Sequence, residues 1–523
     1  MYYPNLQTAA DTVAFHGVRQ PDQLAIVCEG RAVTYGQLHR ESNRTAHALR
    51  AAGLSAQARV GYLGKESELY YEIFFACAKS GTVLVPINWR LAPDEVDHIL
   101  RDSDAELLFV EHQYFATAVQ RQADLPKLKI VVNLDGPDEP GTGLRAWKAD
   151  QSAEDLTVTA SSDDPIVQLY TSGTTGLPKG VVLANRSFFK IRDLLAEHDL
   201  DWIDWLPGDK SLISIPGFHV AGIWWAMQAF NAGVTNVVMR MFVAHDAVRL
   251  IRDLGVTTTC VVPAMLQMIL AEGGVGTADF ATLRKVCYGG SPISETLMCQ
   301  SLEILGCDLA QLYGLTESGN AAVCMPPADH VPGNLRMRAA GRPCPGVGVK
   351  VIDSVGTALP AGTVGEICLR SPAVMLEYWG MPETTDETLV DGWLHTGDAG
   401  YIDSDEYIFI CDRIKDVIIV AGENVYPAEV ENALCKHPAV AEAAVIGVPS
   451  EHWGEAVHAF ITLRPDQHVT PRELMLFLRG IIAEFKLPTR YEFIDRLPRN
   501  PSGKILRRTL RSRFWAHLER KVN

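Results

Sequence analysis

Apolar runs and helical patterns alternate along most of the chain. Residues 58–64, ARVGYLG, form an apolar run that predicts a strand, and residues 68–81, ELYYEIFFACAKSG, predict a helix ending on Gly81. The same reasoning predicts a helix at 93–105, a helix at 245–255, and further strands at 82–87, 211–216, 235–240, 257–263 and 284–290. These runs are rich in Val, Ile and Thr, as strands buried on both faces of a parallel sheet usually are. The pattern therefore favours an α/β fold class.

The pattern changes at about Ala340, where short β segments with glycine turns begin. A second boundary is predicted near Arg413 to Asp416. It is followed by the segment VIIVAGENV at 417–425, a helix at 427–437, strands at 439–449 and 456–465, a helix at 471–485 and a strand at 490–498. We predict a large N-terminal α/β domain over residues 1–413, with parallel-rich sheets plus a β subdomain. Residues 414–523 form a small C-terminal α+β domain of ordinary size.

Composition is typical of a globular protein with more than one domain: 523 residues, 47% of them apolar and 21% charged. No apolar run reaches the ~18 residues of a membrane span, and the first residues lack the pattern of a secretion signal. We therefore expect a cytoplasmic protein without a transmembrane segment. Eleven scattered cysteines, with no CxxC pair, indicate reduced buried thiols.

The net charge of −16 argues against nucleic acid as a partner. The basic stretch 504–523 is the exception, and it predicts a closing amphipathic helix with a solvated face. Peripheral contact of this stretch with an anionic membrane is the alternative. Monomer and homodimer both stay open.

Residues 170–180 read YTSGTTGLPKG. Consecutive Gly, Ser and Thr residues can turn backbone N–H groups and hydroxyls toward an anion, and Lys179 adds positive charge. This combination suits the binding of a polyphosphate, and a solvent-exposed glycine-rich turn is the other interpretation. The segment is not a Walker motif, because Pro178 precedes Lys179 and Gly180 follows it.

The chain resembles the adenylate-forming superfamily, and within it the acyl-CoA synthetases of fatty-acyl-CoA ligase type. The resemblance lies in YTSGTTGLPKG and in six further motifs that follow in order: PGFHVAG (216–222), YGGSP (288–292), YGLTE (313–317), HTGD (395–398), DRIKDVIIVAGENVYPAEVE (412–431) and PRNPSGKILRR (498–508). The resemblance implies a ligase that uses ATP and Mg²⁺ to form an acyl-adenylate from a small carboxylic acid. Coenzyme A would then accept the acyl group.

The resemblance also implies roles for individual residues. The β- and γ-phosphates would be held by Thr171, Ser172, Gly173, Thr174, Thr175, Gly176 and Lys179. Thr316 would contact the α-phosphate, and Glu317 would hold Mg²⁺. The nucleoside would be bound by Gly289, Gly290, Ser291 and Tyr313 around the adenine, and by Asp398 and Arg413 at the ribose or phosphates.

In this resemblance the two half-reactions depend on different parts of a mobile C-terminal domain. Lys504 would bridge the attacking carboxylate and the α-phosphate. Lys415 would be the hinge about which the domain rotates. Ala421 and Gly422 would then line the pantetheine tunnel.

The acid itself is expected to have an apolar, fatty-acyl-like tail, because the predicted pocket walls are mostly apolar. They are Val220, Trp224, Trp225, Val261, Met265, Cys287, Gly314 and Asn320. His219 would position the carboxylate or gate the tunnel; a neutral packed histidine is the other interpretation. Three alternatives stay open: an aryl or phenylpropenoid-CoA ligase, an enzyme that loads a carrier protein, and a luciferase-like oxidase. A catalytically silent nucleotide-binding module is disfavoured because Glu317, Asp398 and Lys504 are all present.

Overall fold

A computed structural model of the chain describes residues 1–136, 143–156, 160–171, 177–450, 452–499 and 505–515. Six predicted site residues lie outside the described residues: Ser172, Gly173, Thr174, Thr175, Gly176 and Lys504.

The helices of the described residues follow in chain order. They are α1 Ala9–Arg19, α2 Tyr35–Ala51, α3 Glu68–Ser80, α4 Pro93–Asp102, α5 His112–Arg121, α6 Leu144–Trp147, α7 Arg186–Glu197, α8 Val220–Ala232, α9 Ala244–Leu254, α10 Pro263–Leu270, α11 Glu295–Leu305, α12 Pro382–Thr388, α13 Pro427–Leu434, α14 Pro471–Leu478 and α15 Arg507–Trp515.

The strands alternate with these helices through most of the chain. They are β1 Leu24–Cys28, β2 Arg31–Thr34, β3 Arg59–Leu63, β4 Val83–Ile87, β5 Leu107–Val110, β6 Ile130–Asn133, β7 Pro165–Thr171, β8 Lys179–Ala184, β9 Lys210–Ile213, β10 Thr235–Val238, β11 Thr258–Val261, β12 Lys285–Gly289, β13 Asp308–Tyr313, β14 Val323–Met325, β15 Arg342–Pro343, β16 Gly348–Ile352, β17 Gly365–Arg370, β18 Glu377–Tyr378, β19 Leu389–Val390, β20 Trp393–Ile402, β21 Ile408–Arg413, β22 Ile418–Val420, β23 Glu423–Val425, β24 Val440–Ser450, β25 Gly454–Leu463 and β26 Arg490–Phe493.

The chain divides into two compact units, each described here by itself. One unit consists of Met1–Gly348 with Leu369–Leu394, and the other of Val349–Cys368 with His395–Asn523. The domain boundary at residue 413 stays a prediction.

Two large sheets build the first unit. One has the order β18-β8-β7-β4-β3-β5-β6, and the other has the order β15-β14-β13-β12-β11-β9-β10-β1-β2. Pairing is parallel from β7 through β6 in the first sheet and from β13 through β1 in the second. Antiparallel strands lie only toward the edges. The predicted α/β class with parallel-rich sheets is therefore confirmed.

Shorter sheets follow later in the chain. A five-stranded sheet has the order β16-β17-β20-β19, with β21 paired to β20, and a second has the order β23-β22-β25-β24, with β26 paired to β25. Helices α13 and α14 bury Val430 and Leu474 with Val445 and Val457 from β24 and β25. This arrangement is the predicted C-terminal α+β fold.

One element of this C-terminal fold was not predicted, and one differs from the prediction. The segment 417–425 contains a hairpin, in which Ala421 and Gly422 take φ values of 51° and 88° between β22 and β23. The helix expected at 471–485 ends at Leu478, and Gly480 beyond it has φ 84°.

No described helix has both the length and the apolar character needed to cross a bilayer.

Candidate active site

Three neighbouring parallel strands of the nine-stranded sheet end at one edge. β11 ends at Val261, β12 at Gly289 and β13 at Tyr313, and Gly289 pairs with Leu312. In open α/β sheets, ligands bind outside the carboxyl ends of the strands. The structure thus brings the predicted adenine residues Gly289 and Tyr313 to an edge suited to a ligand. Gly290, with φ 79°, and Ser291 follow β12 directly.

Close backbone approach explains two of the glycines at this edge. A Cβ on Gly289 would lie 2.2 Å from the carbonyl oxygen of Leu312, and one on Gly314 would lie 1.5 Å from that of Asn320. Asn320 itself has φ 80°, a conformation that asparagine tolerates better than most residues. The backbone therefore requires Gly314 whether or not it lines the acyl pocket.

The YGLTE turn is fixed by its own backbone. Ser318 accepts the N–H of Leu315 at 2.9 Å, and the carbonyl of Thr316 accepts the N–H of Gly319 at 3.1 Å. The carbonyl of Glu317 accepts the N–H of Met375 at 2.8 Å. Thr316 and Glu317 are consequently held at a defined place just beyond β13.

Tyr378 lies between two predicted site residues. Its hydroxyl donates to Glu317 Oε1 at 2.8 Å, and Lys179 Nζ lies 5.2 Å from its ring centroid. Pairing of β18 with β8 places this ring, since Tyr378 is opposite Val181. Lys179 begins β8 and pairs with Thr171 at the end of β7, so both flank the predicted phosphate loop.

Sequence reasoning missed Tyr378. The segment EYWG at 377–380 contributed only to the overall resemblance, and nothing local to it indicates a contact with Glu317, 61 residues away.

A buried carboxyl group supports the predicted mouth of the acyl pocket. Glu66 accepts the N–H of Gly217 at 2.9 Å and the hydroxyl of Tyr71 at 2.7 Å, while Tyr70 donates to the carbonyl of Gly217 at 3.0 Å. Burial raises the pKa of Glu66 to about 7. This network fixes the turn that leads to His219, the N-cap position of α8.

The predicted pocket walls are spread over several elements of the first unit. Val220, Trp224 and Trp225 lie on α8, and the two tryptophans are buried. Val261 and Met265 pack in one apolar cluster, while Cys287 is a buried thiol whose pKa burial raises to about 12. The lining of the pocket by these side chains stays a prediction.

In the second unit, Asp398 and Arg413 face each other across paired strands. They occupy opposite positions on β20 and β21, and Arg413 Nε lies 2.8 Å from Asp398 Oδ1. Asp398 is 4% exposed. The nearby carbonyl of Thr396 accepts Arg413 Nη1 at 3.1 Å. The two residues predicted to contact ribose are thus already oriented as a pair.

Glu366 holds the HTGD segment from the neighbouring strand β17. Its carboxylate accepts the N–H of Gly397 at 3.0 Å and lies 3.1 Å from Nδ1 of His395. The Thr396 hydroxyl donates to the Ile367 carbonyl at 2.6 Å and accepts the Asp398 N–H at 3.0 Å. Glu366 was not among the predicted residues.

Glu366, Cys368 and His395 also present ligand atoms within 4.8 Å of one another. Burial, however, raises the pKa of Cys368 to about 12, which favours a neutral thiol over the thiolate that metals bind. The contacts of Glu366 therefore fit support of the turn.

The predicted hinge and tunnel residues lie near one another in sequence. Lys415 is in the single turn Ile414–Asp416, its carbonyl accepts Arg511 Nη1 at 3.1 Å, and desolvation lowers its pKa. Ala421 donates its N–H to the carbonyl of Trp453 at 2.9 Å, and Gly422 completes the exposed turn.

These features are typical of an adenylate-forming enzyme. One unit has parallel-rich sheets with the YGLTE turn at its strand ends, and the other contains the Asp398–Arg413 pair. The family model of AMP-binding enzymes matches residues 14–379, and that of the AMP-binding enzyme C-terminal domain matches residues 429–504. The chain belongs to this family, and within it to the acyl-adenylate-forming ligases.

Curated relatives cover essentially the whole chain. It is 62% identical to fatty acid–[acyl-carrier-protein] ligase ScoC of Streptomyces coeruleorubidus, over 100% of this chain and 99% of the relative. It is 36% identical to a feruloyl-CoA synthase of an Amycolatopsis species, over 94% and 96% of the two chains. Among solved structures, anthranilate CoA ligase AuaEII in complex with anthranoyl-AMP matches with a TM-score of 0.89 and 28% identity, over 98% and 97% of the two chains.

Proposed function

We propose that this ligase activates a fatty-acid-like acid with ATP and transfers the acyl group to the phosphopantetheine thiol of a carrier protein. The observation that carries the choice of acceptor is the 62% identity, over the full length, with a fatty acid–[acyl-carrier-protein] ligase. We therefore favour a carrier protein over coenzyme A as the acceptor of the acyl group.

In the first half-reaction, a carboxylate oxygen of the acid attacks the α-phosphorus of ATP and pyrophosphate leaves. Charge on the phosphate oxygens must be met by donors and cations already in place. Thr171 and Lys179, on either side of the loop, and Thr316, beyond β13, are assigned to this task. Lys504 is assigned to the α-phosphate and the attacking carboxylate, where an ammonium offsets the repulsion of two anions.

Glu317 fits the predicted role of Mg²⁺ ligand. It is a hard oxygen donor on a fixed, half-buried turn, and its Oε1 accepts the Tyr378 hydroxyl. Mg²⁺ commonly takes one or two carboxylates, with phosphate oxygens and water as its other ligands. Bound there, it would neutralise charge on the ATP phosphates.

Asp398 and Arg413 are assigned to the nucleoside. A buried carboxylate can accept hydrogen bonds from both ribose hydroxyls, and the planar guanidinium fixes the direction in which that carboxylate points. Their 2.8 Å contact favours this role, because ATP then meets an oriented acceptor.

In the second half-reaction, a thiolate attacks the acyl carbonyl carbon and AMP leaves. Ala421 and Gly422 offer the pantetheine arm a turn without bulky side chains, and both are exposed. Coenzyme A carries the same arm, so the 36% identity with a feruloyl-CoA synthase makes CoA the second candidate acceptor.

The adenylation step is tested by acid-dependent exchange of pyrophosphate into ATP, with fatty acids of graded length and with ferulate as an aromatic control. We expect exchange with fatty acids, and we expect Lys504→Ala to abolish it while ATP still binds. Exchange that needs no acid, or survives in Lys504→Ala, would contradict the assignment. Intact-mass analysis of a holo-carrier protein, with CoA in a parallel reaction, identifies the acceptor.

A further inference from the structure

We propose that a groove between β24, β26 and α15 docks the acidic carrier protein that receives the acyl group; this inference rests on the proposed function. The groove has a volume of about 340 Å³ and lies within the second unit. Its lining includes Val448, Trp453, Ala456, Thr489, Arg490 and Phe514.

The groove combines an apolar base with an aromatic residue open to solvent. Val448 and Ala456 belong to a buried cluster against which Phe514 packs, so the base is rigid. Trp453, in contrast, is 49% exposed. Exposed aromatic residues beside preformed apolar grooves are typical anchors of protein interfaces.

Positive charge borders this apolar surface. Arg490 lines the groove, is exposed and forms no ion pair with a carboxylate of the described residues. Arg513 lies 5.8 Å from the ring centroid of Phe514, although Glu492 pairs with it at 2.9 Å. Among the described residues that line the groove, Arg490 is therefore the cation available to an incoming anion.

The C-terminal segment that contributes Thr489, Arg490 and Phe514 to the groove has the opposite charge to the rest of the chain. Residues 464–523 contain 14 lysines and arginines against 6 aspartates and glutamates, a net charge of +8 in a chain of −16. An acidic partner is attracted to this segment and repelled by the remainder, which steers its approach. Among possible occupants, this asymmetry favours an acidic protein over a second copy of this acidic chain.

The position of the groove suits a partner that delivers a pantetheine arm. The carbonyl of Trp453 accepts the N–H of Ala421 at 2.9 Å, and Val420 pairs with Gly454. Ala421 and Gly422 are the residues assigned to the arm. A carrier protein whose helix rests on Trp453 and Arg490 thus starts its arm next to the turn that the arm must pass.

The test compares acyl transfer to two acceptors: a holo-acyl carrier protein with net negative charge, and free pantetheine, which has the arm without the protein. For Arg490→Glu we expect the KM for the carrier protein to rise at least ten-fold and to lose its salt dependence. The rate with pantetheine and the acid-dependent pyrophosphate exchange should be unchanged. Arg472→Glu, on α14 and away from the groove lining, is the matched charge control and should behave as wild type.

Trp453→Ala provides a second variant, with Leu476→Ala as the exposed apolar control. An unchanged KM for the carrier protein in both Arg490→Glu and Trp453→Ala would overturn the groove proposal alone. Wild-type transfer to CoA or pantetheine but to no carrier protein would overturn the proposed acceptor and the groove proposal together. A change of oligomeric state in Trp453→Ala, measured by light scattering, would assign the groove to self-association and also overturn the proposal.

Discussion

The contacts of Tyr378 orient the Glu317 carboxylate, which is the predicted ligand of the metal ion. Tyr378 donates to it at 2.8 Å, and the same ring lies beneath the ammonium of Lys179. The ring thus connects a predicted metal ligand with a predicted phosphate cation and separates their opposite charges.

Replacing Tyr378 by Phe removes the hydroxyl and keeps the ring. A hydrogen bond to a charged group contributes roughly 1.5–3 kcal/mol, so we expect about a ten-fold rise in the KM for ATP and in the Mg²⁺ concentration needed for half-maximal exchange. Tyr378→Leu, which also removes the ring under Lys179, should have a larger effect. Pyrophosphate exchange titrated with Mg²⁺ measures both, and an unchanged Mg²⁺ dependence in Tyr378→Phe would contradict the role given to the hydroxyl.

Glu366 is predicted to affect ATP binding indirectly, because it supports the HTGD turn that carries Asp398. Glu366→Ala removes the acceptor of the Gly397 N–H and the partner of His395, so Asp398 loses its fixed orientation. We expect the KM for ATP to rise about ten-fold with a smaller change in kcat, and Glu366→Gln, which keeps one oxygen acceptor, to lie between Ala and wild type. Equal kinetic constants in all three proteins would show that the turn does not need this carboxylate.

Tyr378 and Glu366 also show what the sequence could not predict about the site. The motif residues could be assigned because each belongs to a short local pattern. Tyr378 contacts a residue 61 positions away and Glu366 one 31 positions away, and only the tertiary fold brings these residues together.

At the scale of elements, the turn before α8 depends on a buried carboxyl group. Glu66 is 5% exposed and its pKa is raised to about 7, so the folded protein binds more protons than the unfolded chain between about pH 4.5 and 7. The free energy of unfolding should therefore fall as pH rises through this window.

Glu66→Gln isolates that contribution, because glutamine keeps the shape and cannot ionise. We expect the stability of wild type relative to Glu66→Gln to decrease between pH 5 and pH 8 by up to about 3 kcal/mol, measured by urea unfolding at each pH. A difference that stays constant with pH would mean that the carboxyl group ionises as easily in the folded protein as in the unfolded chain, and one that increases with pH would mean that it ionises more easily in the folded protein.

Most elements could be predicted from their hydrophobic pattern, and α3 ends before Gly81 as expected, with φ 78° at that glycine. Two features of the C-terminal fold were not predicted correctly. The hairpin of β22 and β23 was not predicted, because Ala421, which takes a positive φ between the two strands, gives no local turn signal. Arg479 and Gly480 interrupt the apolar pattern after Leu478, but Ile481, Ile482 and Phe485 resume it, so the prediction continued α14 past its end.

In the whole molecule, the net charge is distributed unequally along the chain. Residues up to 463 carry the negative charge, and the last 60 residues are basic. Small acids and ATP need no such asymmetry, whereas an acidic protein substrate gains from it through faster and more selective encounter.

A single-turnover competition tests most directly whether the acyl group is transferred to a carrier protein or to CoA. The enzyme is first loaded with a radiolabelled fatty acid and ATP, so that acyl-adenylate forms, and is then mixed with equal concentrations of holo-carrier protein and CoA. We expect the label to move to the carrier protein faster than to CoA, with release of AMP. Transfer of the label to CoA in preference to the carrier protein, or no adenylate to transfer, would contradict it.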